Sequence, residues 1–128
     1  MKNLILILAL SLTTMAQSQS RLGYSYSEIL TEFKVKYEFT TGFSEELGKY
    51  LQFDMGTASV TYYFNNDNYC YTVILLPTTK EDMHAYIEKY NNKFTIISDT
   101  EWKMYGNGVT VTIELIYVED GGYFFLFY

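Results

Sequence analysis

Apolar and polar residues alternate along residues 109–118, and the odd positions are Val109, Val111, Ile113, Leu115 and Tyr117. A period of two is typical of a strand with one face in a core. Residues 119–122 (Glu-Asp-Gly-Gly) tolerate positive φ, and an aromatic run follows over residues 123–128. The pattern predicts a β-hairpin at the end of the chain, with its turn within residues 119–122.

Two other stretches have a helical period. Ser25 and Glu28 have the spacing of a capping box, which predicts the start of a short helix. Thr78 and Glu81 have the same spacing after Pro77 and predict a second, longer helix. The predicted buried sides carry Ile29, Leu30 and Phe33 in the first helix, and Met83, Ile87, Tyr90 and Phe94 in the second.

Strand patterns fill most of the remaining chain. They cover residues 34–40, 50–55, 59–64, 69–76, 94–98 and 102–105, and the last two read as one strand with a potential break near Asp99. Residues 41–48 read as a loop. We therefore predict a single α+β domain over residues 17–128, with a mostly antiparallel sheet of about six or seven strands and two helices packed on one face.

A weak internal repeat suggests a tandem duplication of a helix-plus-strands unit. Ser25, Glu28, Ile29 and Phe33 correspond in type to Thr79, Asp82, Met83 and Ile87 at an offset of 54, and Tyr50, Phe53 and Gly56 correspond to Trp102, Tyr105 and Gly108 at an offset of 52. The even offset also maps Val60, Tyr62 and Phe64 onto Thr112, Glu114 and Ile116, which lie on the opposite face of their strand. Coincidental similarity of two α+β halves is the alternative.

The terminal hairpin divides its residues between two faces. A turn of two or four residues joins odd positions of the outgoing strand to even positions of the return strand. The core face then carries Val111, Ile113, Leu115, Tyr117, Phe124, Leu126 and Tyr128, and the other face carries the candidate binding residues Ile116, Val118, Tyr123, Phe125 and Phe127. The second face is either a contact surface or the floor of a second buried layer. A three-residue turn would exchange the two faces.

The first 16 residues resemble a secretory signal peptide. Lys2 precedes an apolar run over residues 4–12, and small residues at Thr14 and Ala16 favour cleavage after Ala16. The mature chain would lose Lys2 alone among its charged residues, which leaves 8 basic against 15 acidic residues and a net charge of −7. This balance makes nucleic acid a poor partner. We expect a periplasmic or secreted protein with no membrane-spanning helix after cleavage.

Few residues have the chemistry of a catalytic or metal site. Cys70 is the only cysteine, so no internal disulfide can form, and we expect its thiol to pack on its strand, with pairing between molecules as the alternative. His84 is the only histidine and lies on the polar side of the second predicted helix, which excludes a two-histidine metal site. Gly106 and Gly108, like Gly121 and Gly122, lack the strand-loop-helix context of a phosphate cradle. We predict no metal and no cofactor.

Residues 96–105 (Ile-Ile-Ser-Asp-Thr-Glu-Trp-Lys-Met-Tyr), with residues 119–123 downstream, resemble uncharacterised small secreted proteins of Gram-negative bacteria. The resemblance implies secretion and carries no activity. In architecture alone, a tandem helix-plus-antiparallel-sheet chain is similar to secreted proteins that inhibit β-lactamases, which use an exposed sheet face for a protein partner. No residue matches an inhibitory motif, so this likeness is one of fold.

Our leading hypothesis is a non-enzymatic interaction module that binds a protein or a cell-envelope glycan. The absence of a nucleophile with a positioned base favours it. The fourteen tyrosines could form part of a sugar- or peptide-binding surface, although tyrosine is also a good strand residue. The first alternative is a small envelope hydrolase that uses the carboxylates of Asp99 and Glu101 or of Glu45 and Glu46. The second is a minimal outer-membrane barrel, suggested by Tyr128, although 112 mature residues with a helix leave too few strands.

Overall fold

The computed structural model of the protein describes residues 21–106 and 108–128. The predicted signal peptide, residues 1–16, lies outside these residues. The described elements follow the order α1 (Tyr26–Phe33), β1 (Phe39–Ser44), β2 (Gly48–Asp54), β3 (Ala58–Phe64), β4 (Cys70–Pro77), α2 (Lys80–Lys93), β5 (Thr95–Ser98), β6 (Glu101–Gly106), β7 (Val109–Tyr117) and β8 (Tyr123–Phe127). The prediction of an α+β fold with two helices is confirmed.

All eight strands form one antiparallel sheet in the order β1-β2-β3-β4-β8-β7-β6-β5. The sheet is open, because β1 and β5 are its two edges. The described strands number eight instead of six or seven. The reason is that residues 94–105 contain two strands, β5 and β6, joined by a turn at Asp99 and Thr100. Strand β1 does not add to the number. The strand predicted over residues 34–40 was wrong for residues 34–38, and β1 instead extends over residues 39–44, into the segment predicted as a loop, because these residues pair with β2.

The capping residues begin both helices largely as predicted. At α1, the Ser25 backbone N–H donates to Glu28 Oε1 at 3.0 Å, and the Glu28 N–H donates to Ser25 Oγ at 3.1 Å. At α2 the cap is Thr79, whose Oγ1 accepts from the Asp82 N–H at 3.0 Å. The prediction of Thr78 was wrong by one residue, because the Thr78 hydroxyl donates to the Gly56 carbonyl at 2.7 Å.

Both helices pack on the same face of the sheet, which we call the covered face. Under α1, the Phe33 ring lies 5.4 Å from the Phe53 ring. Under α2, the Tyr90 ring lies 5.7 Å from the Trp102 ring and 5.3 Å from the Phe125 ring. Edge-to-face geometry in all three pairs is a preferred arrangement of aromatic rings. The predicted placement of two helices on one face is confirmed.

The two halves of the chain repeat the same order, one helix followed by four strands, and the strand order mirrors about the β4–β8 pair. Ile74 lies opposite Leu126 at the middle of that pair. The buried residues Val60 and Tyr62 of β3 correspond to Val111 and Ile113 of β7, an offset of 51. An odd offset removes the conflict between faces that an offset of 52 created. The fold therefore repeats the order of its elements, whereas a duplication of the sequence stays a prediction.

The turn between β7 and β8 contains three residues, 119–121. The Val118 N–H donates to the Gly122 carbonyl at 2.9 Å, and the Gly121 N–H donates to the Val118 carbonyl at 3.1 Å. Gly121 has a φ of +92°, the left-handed conformation that ends a three-residue hairpin turn. This turn pairs odd positions with odd positions, such as Leu115 with Phe125.

The assignment of faces from an even-length turn was therefore wrong. Tyr123, Phe125 and Phe127 lie on the covered face, where Phe125 is fully buried and Phe127 is 2% exposed. Phe124, Leu126 and Tyr128, which were predicted to be core, lie on the other face. Of the five candidate binding residues, Ile116 and Val118 alone remain on the face away from the core.

Candidate functional site

The face of the sheet opposite the helices, which we call the open face, is the candidate site. The partly buried hydrophobic residues of this face do not pack against the core cluster. Alternate residues of all eight strands contribute to this face. They are Thr40, Gly42 and Ser44; Tyr50, Gln52 and Asp54; Ser59, Thr61 and Tyr63; Thr72, Ile74 and Leu76; Phe124, Leu126 and Tyr128; Thr110, Thr112, Glu114 and Ile116; Glu101, Lys103 and Tyr105; and Thr95.

The middle of the open face is apolar. Ile74 lies opposite Leu126, and Ile116 lies opposite Phe124. Leu76 is 50% exposed, and the other four side chains are partly exposed. We call these five residues, Ile74, Leu76, Ile116, Phe124 and Leu126, the apolar centre. Contiguous apolar side chains at the surface of a protein are typical of contact surfaces.

Tyrosines and hydroxyl groups occupy the part of the open face formed by β1, β2 and β3. The rings of Tyr50 and Tyr63 lie 5.8 Å apart, and a Cβ atom at Gly42 would overlap the Tyr50 ring. Gln52 accepts a hydrogen bond from Thr40 at 3.4 Å and donates one to Thr61 at 3.1 Å. Burial and the neighbouring Tyr50 raise the pKa of Tyr63, so this end presents neutral hydroxyl groups.

Charged groups occupy the part of the open face formed by β6 and β7. Glu101 lies directly opposite Glu114 in the pairing of these strands. The Tyr128 hydroxyl donates a hydrogen bond to Glu114, and this bond raises the pKa of Tyr128. Lys103 Nζ donates to Thr112 Oγ1 at 3.1 Å. This end of the face therefore carries two carboxylates and one ammonium group.

The structure disperses the carboxylates that the sequence suggested for hydrolysis. Asp99 is exposed in the β5–β6 turn, while Glu101 faces Glu114 on the open sheet surface. Glu45 and Glu46 are exposed in the β1–β2 turn, where they line a shallow cavity with Tyr71 and other residues. None of the three described cavities is lined by Asp99, Glu101 or Glu114.

The two remaining candidates for chemistry lie away from the open face. His84 is exposed on α2. Cys70 is 3% exposed, and burial raises the pKa of its thiol to about 12. Across residues 21–106 and 108–128, no group of three or more His, Cys, Asp or Glu side chains could hold a metal ion.

The sequence did not identify most of the open face. Ile74 and Leu76 lie in the apolar run of β4, where neighbouring residues on both faces are hydrophobic. Such a run does not show by its pattern which positions face a helix. Phe124 and Leu126 were assigned to the core because the turn length was wrong. Gly121 and Gly122 both permit the positive φ that ends a hairpin turn, so the sequence left the length of this turn open.

None of the described helices is both long and apolar enough to cross a membrane. Comparison with protein-family models, with curated proteins and with solved structures found no match to this chain. The resemblance to small secreted proteins of Gram-negative bacteria therefore stays a prediction.

Proposed function

We propose that this protein is a secreted or periplasmic, non-enzymatic binding module that holds a protein partner on its open sheet face. The observation that carries the proposal is the apolar centre, a set of five partly exposed hydrophobic side chains in the middle of a sheet face opposite both helices. The signal-like pattern of residues 1–16 supports the proposed location, because cleaved segments of this kind direct proteins out of the cytoplasm.

The composition of the open face favours a protein over a glycan. Aliphatic side chains at the centre with tyrosines and polar groups around them match the apolar core and polar rim of a protein interface. Tyr50, Tyr63, Tyr105 and Tyr128 add large contact areas with few rotatable bonds. Ile74 and Leu126 lie at the centre of the face, where their aliphatic side chains offer a sugar neither a hydrogen bond nor an aromatic ring to stack on.

The charges on the open face indicate the sign of the charge on the partner surface. Asp54, Glu101 and Glu114 contribute three carboxylates, and Lys103 contributes one ammonium group. The net charge of −7 expected for the mature chain has the same sign. Complementary charges accelerate association and select among partners. The partner surface therefore has an apolar patch with basic residues at its rim.

Immobilised protein, incubated with the periplasmic and secreted proteins of the cells that make it, tests the proposal. Leu126→Lys places a charge in the apolar centre. Binding of the partner would then remove water from an unpaired ammonium group, so capture should fall at least about tenfold. His84→Lys is the matched control, since it adds a cation on the opposite side of the molecule. Capture of the same partner by both variants would contradict the proposal.

Purified cell-wall glycan incubated with the protein tests the other two functions. The proposal predicts neither retention of the glycan nor its hydrolysis. If the wild type retains the glycan and the Tyr50→Ala and Tyr63→Ala variants do not, the partner is a sugar and not a protein. Hydrolysis that Glu101→Gln or Glu114→Gln abolishes in folded protein would show that the facing carboxylates are catalytic.

A further inference from the structure

We propose that β5 is a self-association edge, at which the β5 strands of two copies of this chain pair antiparallel around a two-fold axis. Strand β5 pairs with β6 on one side, and no described strand pairs with its other side. An edge of this kind presents unpaired backbone N–H and C=O groups to any second strand. The proposal goes beyond the binding function of the open face.

The side chains of β5 give the edge an apolar character. All four residues of the strand, Thr-Ile-Ile-Ser, are uncharged and exposed. Ile96 is 56% exposed and Ile97 is 47% exposed. Natural proteins commonly place charged residues within an edge strand to prevent pairing. No such residue lies within β5, and antiparallel pairing of two copies around Ile96 would place the two Ile96 side chains opposite each other, with Ile97 of each copy opposite Thr95 of the other.

The charges that flank β5 are self-complementary. Lys93 precedes Ile96 by three residues, and Asp99 follows it by three residues. Both side chains are exposed, and neither forms an ion pair with another residue of the described part of the chain. Lys93 ends α2 just before β5, and Asp99 follows β5 directly, so a two-fold axis at Ile96 places the end of β5 that carries Lys93 beside the end that carries Asp99 in the other copy. Two opposite-charge contacts form at once, because an interface around a two-fold axis repeats every contact.

The other edge of the sheet has the opposite arrangement. Strand β1 is also uncharged, but Glu38 precedes it and Glu45 and Glu46 follow it. Antiparallel pairing of two β1 strands would place these carboxylates beside one another, and like charges opposed across strands are destabilising. The two edges therefore differ in their flanking charges. Those of β5 complement the same charges of a second copy, whereas those of β1 repel them.

Pairing at β5 repeats the geometry already present within the molecule. The two halves meet at β4 and β8, antiparallel, with both helices on one face. The same operation at β5 would produce a continuous sheet of sixteen strands, twice the eight described. The two open faces would lie on the same side, so that the dimer could contact a repetitive or two-fold symmetric partner at two places.

Charge-exchange variants give the sharpest test. Lys93→Glu places Glu beside Asp99 at both contacts of a dimer, and Asp99→Lys places two lysines together. Neither variant should associate with itself. An equimolar mixture of the two should form a heterodimer, because each contact then joins one cation and one anion. The double variant, Lys93→Glu with Asp99→Lys, should associate like the wild type.

Sedimentation of the purified protein from about 10 µM to about 1 mM covers the weak affinity that we expect of an interface this small. The wild type should shift from monomer to dimer across this range. Thr41→Lys in β1 is the control and should leave the shift unchanged, whereas Ile96→Lys should abolish it.

Three results would overturn the proposal. The first is wild-type protein that stays monomeric at the highest concentration. The second is a dimer that Thr41→Lys disrupts and Ile96→Lys does not. The third is a mixture of the Lys93→Glu and Asp99→Lys variants that associates no better than either variant alone. Circular dichroism of each variant establishes that it is folded, so that a loss of dimer is not a loss of structure.

Discussion

The covered face and the open face are built from alternate residues of the same strands, yet they differ in size and polarity. On the covered face, Phe53, Tyr62, Trp102, Phe125 and Phe127 are almost entirely removed from solvent. The open face has threonines, tyrosines and five partly exposed aliphatic or aromatic residues at its centre. The difference teaches that the helices, more than the strands, determine which set of residues is the core.

The largest predicted effect contrasts two residues of β6. Trp102 is fully buried, and its Nε1 donates to Asn91 Oδ1 at 2.8 Å, whereas Tyr105 on the open face is 61% exposed. Trp102→Ala should lower the free energy of unfolding by about 3–5 kcal/mol. Tyr105→Ala should change it by less than about 0.5 kcal/mol. Urea denaturation measures both, and similar losses for the two variants would remove the distinction between the faces.

The second prediction concerns the thiol on the covered face. With the pKa of Cys70 raised to about 12, its thiolate population at pH 8 is about 1,000-fold below that of an ordinary cysteine. Iodoacetamide should therefore not alkylate the folded protein, and it should alkylate Cys70 rapidly in urea. Mass spectrometry measures the extent of alkylation over time. Rapid alkylation of the folded protein would contradict the burial of this residue.

The raised pKa of the same thiol predicts that the stability of the folded protein falls as the pH rises above about 9. Its pKa in the folded protein, about 12, lies above the ordinary value of 9.0. The stabilisation from a neutral, buried thiol is therefore complete below about pH 9 and is lost as the pH rises towards 12. Cys70→Ala should unfold with a shallower dependence on pH in this interval. An identical pH profile for the variant and the wild type would show that the thiol does not contribute.

The third prediction compares two buried tyrosines of α2. The Tyr86 hydroxyl lies 2.7 Å from Thr57 Oγ1, whereas the Tyr90 hydroxyl has no hydrogen-bond partner within the described residues. Tyr86→Phe should cost about 0.5–1.5 kcal/mol, because it leaves the Thr57 hydroxyl without its partner. Tyr90→Phe should be neutral or stabilising by up to about 1 kcal/mol. A larger loss for Tyr90→Phe in thermal denaturation would reveal a partner for its hydroxyl.

The smallest effect on stability is predicted on the open face. Gly42→Ala should displace the Tyr50 ring, because the new Cβ atom would occupy the same space. The partly exposed ring can rotate away, so we expect a change in stability of less than about 1 kcal/mol. Capture of the partner should fall, since the Tyr50–Tyr63 pair would separate. Unchanged capture would place the contact away from the tyrosine end of the face.

The sequence was sufficient for both helices and for most strands, with β1 as the exception, and it was insufficient for the faces of the sheet. Local signals, such as the capping box at Ser25 and Glu28 and the alternation along β7, predicted helices and strands correctly because they depend on neighbouring residues. The length of the β7–β8 turn depended on whether Gly121 or Gly122 adopts positive φ, and glycine permits this at either position. One residue of difference moved Phe125 from a predicted contact surface into the core.

A set of cysteines along β8 tests the two faces most directly. In a Cys70→Ala background, Phe124→Cys, Phe125→Cys and Leu126→Cys each introduce one thiol, and alkylation is measured together with circular dichroism. The structure predicts that the variants at Phe124 and Leu126 are folded and are alkylated at native pH, while the Phe125 variant is protected or loses its structure. A folded Phe125→Cys variant that is alkylated rapidly, with its two neighbours protected, would contradict the assignment of the open face.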